Sequence, residues 1–280
     1  MNNNQYYSIA AKSLIYLVAI IFAVLAVYPL LWIVLQSFKT TQEYLLTSKL
    51  ALPKTWFVGN FPQTWKAGKF DVLLANSLFY SLITVTTVVV LSLTASFAFA
   101  KLHFKITKFL HGLFIIGILL TVQSIMVPLF LMAASTGLYN TRLGVLIPYI
   151  GLGLPLGIYL GTEFIKSIPD ELIESARIDG AGFLRIFAVI ILPMCVPVAV
   201  TLAIMTFSSS WNEFILVSVL TASDSIRSIP VGIARFSSAL GTDYGKQFTA
   251  LVIGLIPILI FYAVFRKQLT KGVVAGAVKG

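Results

Sequence analysis

The chain has 280 residues, of which 58% are hydrophobic and 11% are charged, and its mean hydropathy is +0.95. Soluble domains carry roughly 25% charged residues, so the composition excludes a soluble protein and leaves no room for a separate soluble catalytic domain. The net charge of +10 does not indicate a nucleic-acid partner, because the bases are dispersed among short loops and no basic stripe alternates with aromatic residues. An all-α membrane protein is predicted.

Six apolar segments are long enough to cross a bilayer as helices, since a spanning helix needs about 20 apolar residues. They are approximately Leu14–Leu35, Leu73–Ala100, Phe109–Ala133, Leu143–Phe164, Phe187–Leu220 and Phe248–Phe265. The chain is therefore divided into an N-terminal segment (1–13), a six-span transmembrane domain (14–265) and a C-terminal tail (266–280).

The second and fifth spans are longer than a bilayer requires, so these helices are expected to tilt, bend or project from the membrane. Pro193 and Pro197, near the start of the fifth span, predict a bend, because proline cannot donate a helical hydrogen bond. Cys195 lies between them and is the only cysteine. It can form no intrachain disulfide and is predicted to be a buried thiol.

An even number of spans places both termini on one side of the membrane. Lys and Arg are denser in the short segments of that side, which predicts that it is the cytoplasmic one. The opposite side holds two longer segments, Phe38–Asp71 and Thr221–Gln247. Pro and Trp residues in the first of them predict an ordered surface segment with a short helix at the interface.

Residues of both charges crowd together between the fourth and fifth spans, in the polar segment Glu163–Arg185. Ser167 to Asp170 predict a helix start, with Ser167 as its cap and Asp170 at the positive end of the helix dipole. Gly180 and Gly182 predict a sharp turn into a second helix. This pattern leaves two interpretations open: an ordinary amphipathic loop, or a rigid element on which a partner docks.

A spaced motif lies within the polar segment and extends into the fifth span. Glu174-Ser175-Ala176 is followed by Gly180 and then by Ile190, Leu192 and Pro193. This spacing resembles the EAA motif of permease subunits of ABC importers, with Ser175 in place of an alanine. The resemblance implies a type I ABC importer permease fold, with cytoplasmic coupling helices between spans four and five (about residues 164–187) that sit in a cleft of a separate ATPase. The coupling residues it implies are Glu174, Ser175, Ala176, Asp179, Gly180 and Ala181.

Further runs resemble the carbohydrate importer group of these permeases. They are Ile168-Pro169-Asp170-Glu171-Leu172, Ile178-Asp179-Gly180-Ala181, Asn76-Ser77-Leu78 and Trp211-Asn212-Glu213-Phe214. The tail Gly272–Gly280 is similar to that of the smaller permease subunit of maltose importers. The resemblance implies transport of a di- or oligosaccharide.

The resemblance also implies an assembly. It comprises a second homologous permease subunit, two copies of a cytoplasmic ATPase that bind ATP and Mg, and an extracytoplasmic solute-binding protein. The chain itself is expected to be no enzyme and to bind no cofactor; it has no G-x-x-x-x-G-K-[ST] sequence to cradle phosphates. The expected location is the cytoplasmic (inner) membrane of a bacterium, with several passes through the lipid bilayer and both termini in the cytoplasm.

Polar side chains inside spans are costly, and they usually face a bundle interior or a water-filled cavity. The residues predicted to line the translocation path or a gate are Asn76, Tyr80, Gln123, Ser124, Trp211, Asn212 and Glu213. A wider set shares this chemistry, namely Ser77, Ser81, Thr84, Tyr149, Ser208, Ser209 and Ser210. The alternative is that these side chains only bond helix to helix. The family resemblance leaves direct sugar contact open, because the larger permease subunit supplies the sugar site in maltose importers.

Two other functions stay open from the sequence. A self-sufficient secondary transporter would need ion-coupling groups in the membrane, and only Glu213 lies well within a span. A different ABC importer, for metals, peptides or amino acids, would share the EAA motif.

Overall fold

The computed structural model describes the backbone of residues 3–102, 105–238 and 241–277, and the side chains of residues 11–102, 105–237 and 242–266. The described chain is almost entirely helical. The helices are α1 (Asn3–Gln36), α2 (Thr41–Leu46), α3 (Asn60–Gly68), α4 (Phe70–Lys101), α5 (Thr107–Gly117), α6 (Val122–Ser135), α7 (Arg142–Lys166), α8 (Glu171–Ile178), α9 (Phe183–Met194), α10 (Val196–Asn212), α11 (Ile215–Leu220), α12 (Ile229–Ala234) and α13 (Tyr244–Ala277).

A 3₁₀ turn, Asp224–Ile226, separates α11 from α12, and a two-residue antiparallel hairpin pairs β1 (Ser237–Ser238) with β2 (Gly241–Thr242). The chain divides into two compact units. The first contains the described residues up to Lys69 together with Ile233–Ile256; the second contains Phe70–Gly232 together with the described residues from Pro257 onward.

Four helices of the described chain are long and apolar enough to cross a membrane unaided: Ala11–Gln36, Phe70–Lys101, Arg142–Lys166 and Tyr244–Arg266. Two further stretches are bent pairs, α5 with α6 at 102° and α9 with α10 at 73°. The number of spans reaches the predicted six if each bent pair is one span. The helices α1 and α13 continue across the predicted domain boundaries at residues 13 and 265, so neither boundary coincides with a helix end.

The bend predicted in the fifth span is present at Cys195, between α9 and α10, and Pro197 follows it in the first turn of α10. Cys195 is fully buried, as predicted. The bend in the third span was not predicted. It falls between Gly117 and Val122, where no proline or charge interrupts the apolar sequence.

Small side chains bring α4 and α7 close together within the second unit. A Cβ added at Gly161 would lie 2.5 Å from Ser96 Oγ, and Gly157 faces Ser92 in the same way one turn earlier. Ser96 Oγ donates a hydrogen bond to the Ile158 carbonyl at 3.0 Å. Small residues at four-residue spacing allow helix backbones to approach closely, as is typical of membrane helix pairs.

The first unit is held by side-chain hydrogen bonds to and beside the buried backbone that follows α1. Asn60 Nδ2 donates to the carbonyls of Ser37 and Lys39, both at 2.8 Å, and Thr41 Oγ1 donates to Asp243 Oδ1 at 2.7 Å. Burial alone would raise the pKa of Asp243, but the hydrogen bonds from Lys246 and Thr41 outweigh it and lower that pKa. The short helices α2 and α3 confirm that Phe38–Asp71 is an ordered segment.

Candidate functional site: the polar segment and an intramembrane cavity

The polar segment folds as two helices joined by a turn, α8 and the start of α9. The first helix begins at Glu171, with Asp170 as the preceding residue. The prediction that Ser167 caps this helix is wrong: Ser167 Oγ donates instead to the carbonyl of Phe164, in the last turn of α7. The acidic residues of the first turn are Glu171 and Glu174, and Asp170, which was predicted to lie at the positive end of the helix dipole, directly precedes them.

Helix α8 has one buried side and one exposed side. Ile173 and Ala176 are 5% and 8% exposed, and they join an apolar core that includes Phe97 of α4 and Ile165 of α7. Glu174 and Ser175 are exposed on the other side. The motif therefore places its alanine in the core and its glutamate in solvent, available to a partner.

The turn after α8 requires glycine at one position only. Gly180 has φ +80°, in the left-handed region that side-chain-bearing residues rarely adopt. The amide of Ala181 donates to the carbonyl of Ala176 at 2.9 Å, which closes the helix end. Asp179 is exposed and Ala181 is half-buried. The guanidinium of Arg177 lies 4.7 Å from the ring centroid of Phe183, across the turn.

An ion pair between a buried lysine and an exposed aspartate ties the polar segment to the end of α4. Lys101 Nζ donates to Asp170 Oδ1 and to the carbonyl of Ile168, both at 2.6 Å. The Lys101 side chain is 5% exposed, whereas that of Asp170 is 75% exposed. These contacts link the polar segment to α4, a helix of the predicted translocation path.

A cavity of about 260 Å³ lies in the second unit, among α4, α7 and α10. Its polar lining is contributed by Thr84 of α4, Tyr149 of α7, Thr206, Ser209 and Ser210 of α10, and Glu213. Leu120 and Val122, at the α5–α6 bend, are among its apolar lining residues. The cavity thus adjoins two interruptions of the helices, one at that bend and one between α10 and α11.

Glu213 is the charged residue of this cavity. Its carboxylate accepts the amides of Leu216 (2.9 Å to Oε1) and Val217 (3.3 Å to Oε2), at the start of α11. The hydroxyl of Tyr149 donates to Oε2 at 3.2 Å. These bonds fix the carboxylate at the helix interruption and link it to α7.

The other predicted path residues are not brought to this cavity. Asn76 Nδ2 donates to the carbonyls of Ser225 and Arg227, and the Tyr80 hydroxyl donates to the carbonyl of Ile226. Both residues therefore anchor the loop that contains the 3₁₀ turn. Asn76 also bonds to another helix, because its Oδ1 accepts a hydrogen bond from Arg142 of α7 at 3.2 Å.

Four more predicted path residues lie elsewhere. Gln123 and Ser124 are exposed at the start of α6, and Ser124 Oγ is 2.8 Å from Thr121 Oγ1. Trp211 is 3% exposed and stacks on Phe207, with 5.5 Å between ring centroids. Asn212 is exposed and donates to the carbonyl of Ser208.

Sequence reasoning missed Asn140. Its Oδ1 accepts the amides of Ala222 and Ser223, at 2.9 and 2.8 Å, and so fixes the start of the loop after α11. Its φ of +60° is in the region that asparagine tolerates better than most residues. An asparagine that follows a glycine-containing turn was the available signal.

Comparisons with known proteins identify the family. Residues 89–274 match the family described as binding-protein-dependent transport system inner membrane component. The trehalose transport system permease protein SugB of Mycobacterium tuberculosis is 34% identical, over 91% of this chain and 93% of that protein. The diacetylchitobiose uptake system permease protein NgcG of Streptomyces coelicolor is 30% identical, over 92% of this chain and 85% of that protein.

A solved structure supports the fold. A chain of a bacterial ABC transporter involved in the import of the acidic polysaccharide alginate superposes with a TM-score of 0.80, at 22% identity, and the match covers 95% of this chain and 98% of that one. The prediction of a transport subunit rather than an enzyme is confirmed by the family, and the alternative of a self-sufficient secondary transporter is not supported. The family's dependence on a binding protein also implies a solute-binding partner. This chain belongs to the inner-membrane permease components of binding-protein-dependent ABC transport systems.

Proposed function

We propose that this chain imports a di- or oligosaccharide as one permease subunit of an ATP-driven complex. The substrate class is supported by the relatives of this chain, which include permeases for trehalose and for diacetylchitobiose. The alternative, an importer of a non-sugar solute, finds no relative among those compared above. The substrate reaches the permease on an extracytoplasmic solute-binding protein.

The polar segment is proposed to be the part that an ATPase grips. The exposed face of α8, with Glu174 and Ser175 at its centre, is available to a partner, while Ile173 and Ala176 fix the helix to the core. ATP and Mg are bound by two copies of that ATPase, and a second, homologous permease subunit completes the complex. Movement of the segment then acts on α4 through the Lys101–Asp170 ion pair.

The proposed orientation of the chain in the membrane follows from this role. The ATPase is cytoplasmic, so the polar segment and both termini face the cytoplasm, and the loops after α1 and α11 face outward. The higher density of Lys and Arg on the terminal side supports the same assignment.

The test is sugar-stimulated ATP hydrolysis by the complete complex in proteoliposomes, with Glu174→Gln compared with Glu171→Gln. Both variants remove one negative charge from the exposed first turn of α8. Loss of a paired charge at an interface costs about 2 kcal/mol or more, so Glu174→Gln should lower stimulated hydrolysis and import by about 30-fold or more. Glu171→Gln should retain both.

The two parts of the proposal fail separately. Equal activity of the two variants would contradict docking at Glu174. Failure of maltose, trehalose and diacetylchitobiose to bind the cognate solute-binding protein, with stimulation by a non-sugar solute instead, would contradict the carbohydrate assignment.

A further inference from the structure

We propose that the cavity among α4, α7 and α10 binds one sugar ring of the transported carbohydrate, so that this subunit itself contacts the substrate. The inference rests on the proposed function and adds a site to it. The site consists of Thr84, Tyr149, Ser209 and Glu213, which line one cavity from three helices and the α10–α11 interruption.

The first observation is an unsatisfied hydroxyl. Thr84 is 1% exposed, and its Oγ1 has no hydrogen-bond partner within the described part of the chain. Buried side-chain polar atoms are nearly always paired, with protein, water or ligand. A threonine in a helix has two favourable χ1 rotamers, so this hydroxyl can turn to meet a group that enters the cavity.

The second observation is spare hydrogen-bonding capacity at the opposite wall. Glu213 Oε1 accepts one hydrogen bond, from the Leu216 amide at 2.9 Å, while Oε2 accepts the Tyr149 hydroxyl and two amides. An ionised carboxylate has about four acceptor positions, and each oxygen about two of them, so Oε1 can accept one more donor. Ser209 lines the same cavity, and its hydroxyl forms no hydrogen bond among the described residues.

The size and chemistry of the cavity fit a single ring. Its 260 Å³ is several times the roughly 30 Å³ that one water occupies in the liquid, and it is below the roughly 300–1,000 Å³ of pockets that enclose drug-sized ligands. A sugar ring presents hydroxyls that both donate and accept, along with apolar C–H faces. Threonine and serine hydroxyls with one carboxylate match the ring's edge, and the leucine and methionine side chains of the lining match its faces.

A metal ion fits this lining less well. No group of three or more His, Cys, Asp or Glu side chains that could hold one occurs among the described residues. Glu213 is the one acidic side chain of the lining, so the cavity offers a cation a single charged ligand. The chemistry therefore favours a neutral, hydroxyl-rich ligand.

The test uses the complete complex in proteoliposomes with the variants Thr84→Val and Ser209→Ala. Maltose, trehalose and diacetylchitobiose are first compared by calorimetry on the solute-binding protein, and the tightest is used together with its monodeoxy derivatives. Thr84→Val keeps the shape of the side chain and removes its hydroxyl, so import of the parent sugar should fall by about tenfold, as expected for one lost hydrogen bond. Thr94→Val, an exposed position of α4 outside the cavity, should import normally.

The deoxy derivatives separate contact from damage to the fold. One derivative should be imported equally fast by Thr84→Val and by the original protein, because the hydroxyl that it lacks is the one that Thr84 contacts. The variant and the original protein receive the sugar from the same binding protein, so the preference of that protein cancels in the ratio of their import rates. Wild-type import of the parent sugar by both variants, or an equal loss for the parent and every derivative, would overturn the site while leaving the proposed function intact. Failure of all three sugars to bind would overturn both.

Discussion

The turn of the polar segment depends on the backbone of one residue, Gly180. Its φ of +80° contrasts with that of Gly182, which is −74° with an extended ψ of 164°. A Cβ added at either glycine would meet no atom within 4 Å. The two positions therefore differ in backbone conformation and not in available space, which makes them a matched pair.

Gly180→Ala should loosen the end of α8. A left-handed conformation costs an alanine roughly 1–2 kcal/mol, so the amides of Asp179 and Ala181, which close the helix end, should exchange hydrogen about five- to thirtyfold faster. In Gly182→Ala, the same two amides should exchange at the original rate or more slowly. The extended backbone at residue 182 accepts alanine without strain, and the substitution reduces the conformational freedom of the unfolded chain. Hydrogen exchange followed by mass spectrometry measures both, and equal rates in the two variants would contradict this account.

At the scale of elements, the polar segment depends on α4 as well as on its own helices. Lys101 is the last residue of α4, and its ammonium group satisfies both the Asp170 carboxylate and the Ile168 carbonyl. Hydrogen bonds to charged groups contribute roughly 1.5–3 kcal/mol, and the 75% exposure of Asp170 reduces that value because water screens the pair. The remaining stabilisation is about 1 kcal/mol.

Lys101→Met should therefore weaken the link between the segment and α4. Exchange of the amides of Ile173 and Glu174 should accelerate by about fivefold, and import should fall further than ATP hydrolysis does, because the ATPase would move a segment that is less firmly tied to the spans. Lys108→Met removes a nearby exposed charge and serves as control. An equal loss of import in the two variants would indicate an effect of membrane-surface charge rather than of this ion pair.

The elements were predicted from sequence to different degrees, for physical reasons that particular residues show. The bend at Cys195 was predictable, because Pro197 cannot donate to the preceding turn. The 102° bend between α5 and α6 was not, because the apolar sequence continues through Ile118–Leu120 and hydropathy does not detect a change of helix direction. Ser167 matched the pattern of a helix cap, but its hydroxyl donates to a carbonyl in the last turn of α7 instead.

The intramembrane site was predicted in part, for a related reason. Glu213 was identified because a carboxylate in a span is costly, and the structure places it at the cavity. Asn76 and Tyr80 carried the same polar signal, yet both side chains donate to loop carbonyls of residues 225–227. The sequence shows that a polar group within a span needs a partner. Only the fold shows whether the group bonds to the backbone or faces a cavity.

At the scale of the whole molecule, the remaining question is sidedness. The family assigns the chain to the inner membrane, while the orientation of its loops is a proposal supported by charge density and by the proposed docking of an ATPase. The native chain simplifies the measurement, because its one cysteine is fully buried in the structure and should not react with hydrophilic reagents.

Single cysteines introduced at two exposed serines should therefore report on the two sides. Ser167→Cys lies before α8, and Ser225→Cys lies in the loop after α11. In intact cells or spheroplasts, an impermeant maleimide should label Ser225→Cys and leave Ser167→Cys unlabelled; inverted membrane vesicles should give the reverse. The native protein, labelled in neither preparation, is the control. Labelling of both positions from the same side would mean that the bent pair α9–α10, which lies between them, returns to the side it started from and does not cross, so that the chain has fewer than six spans.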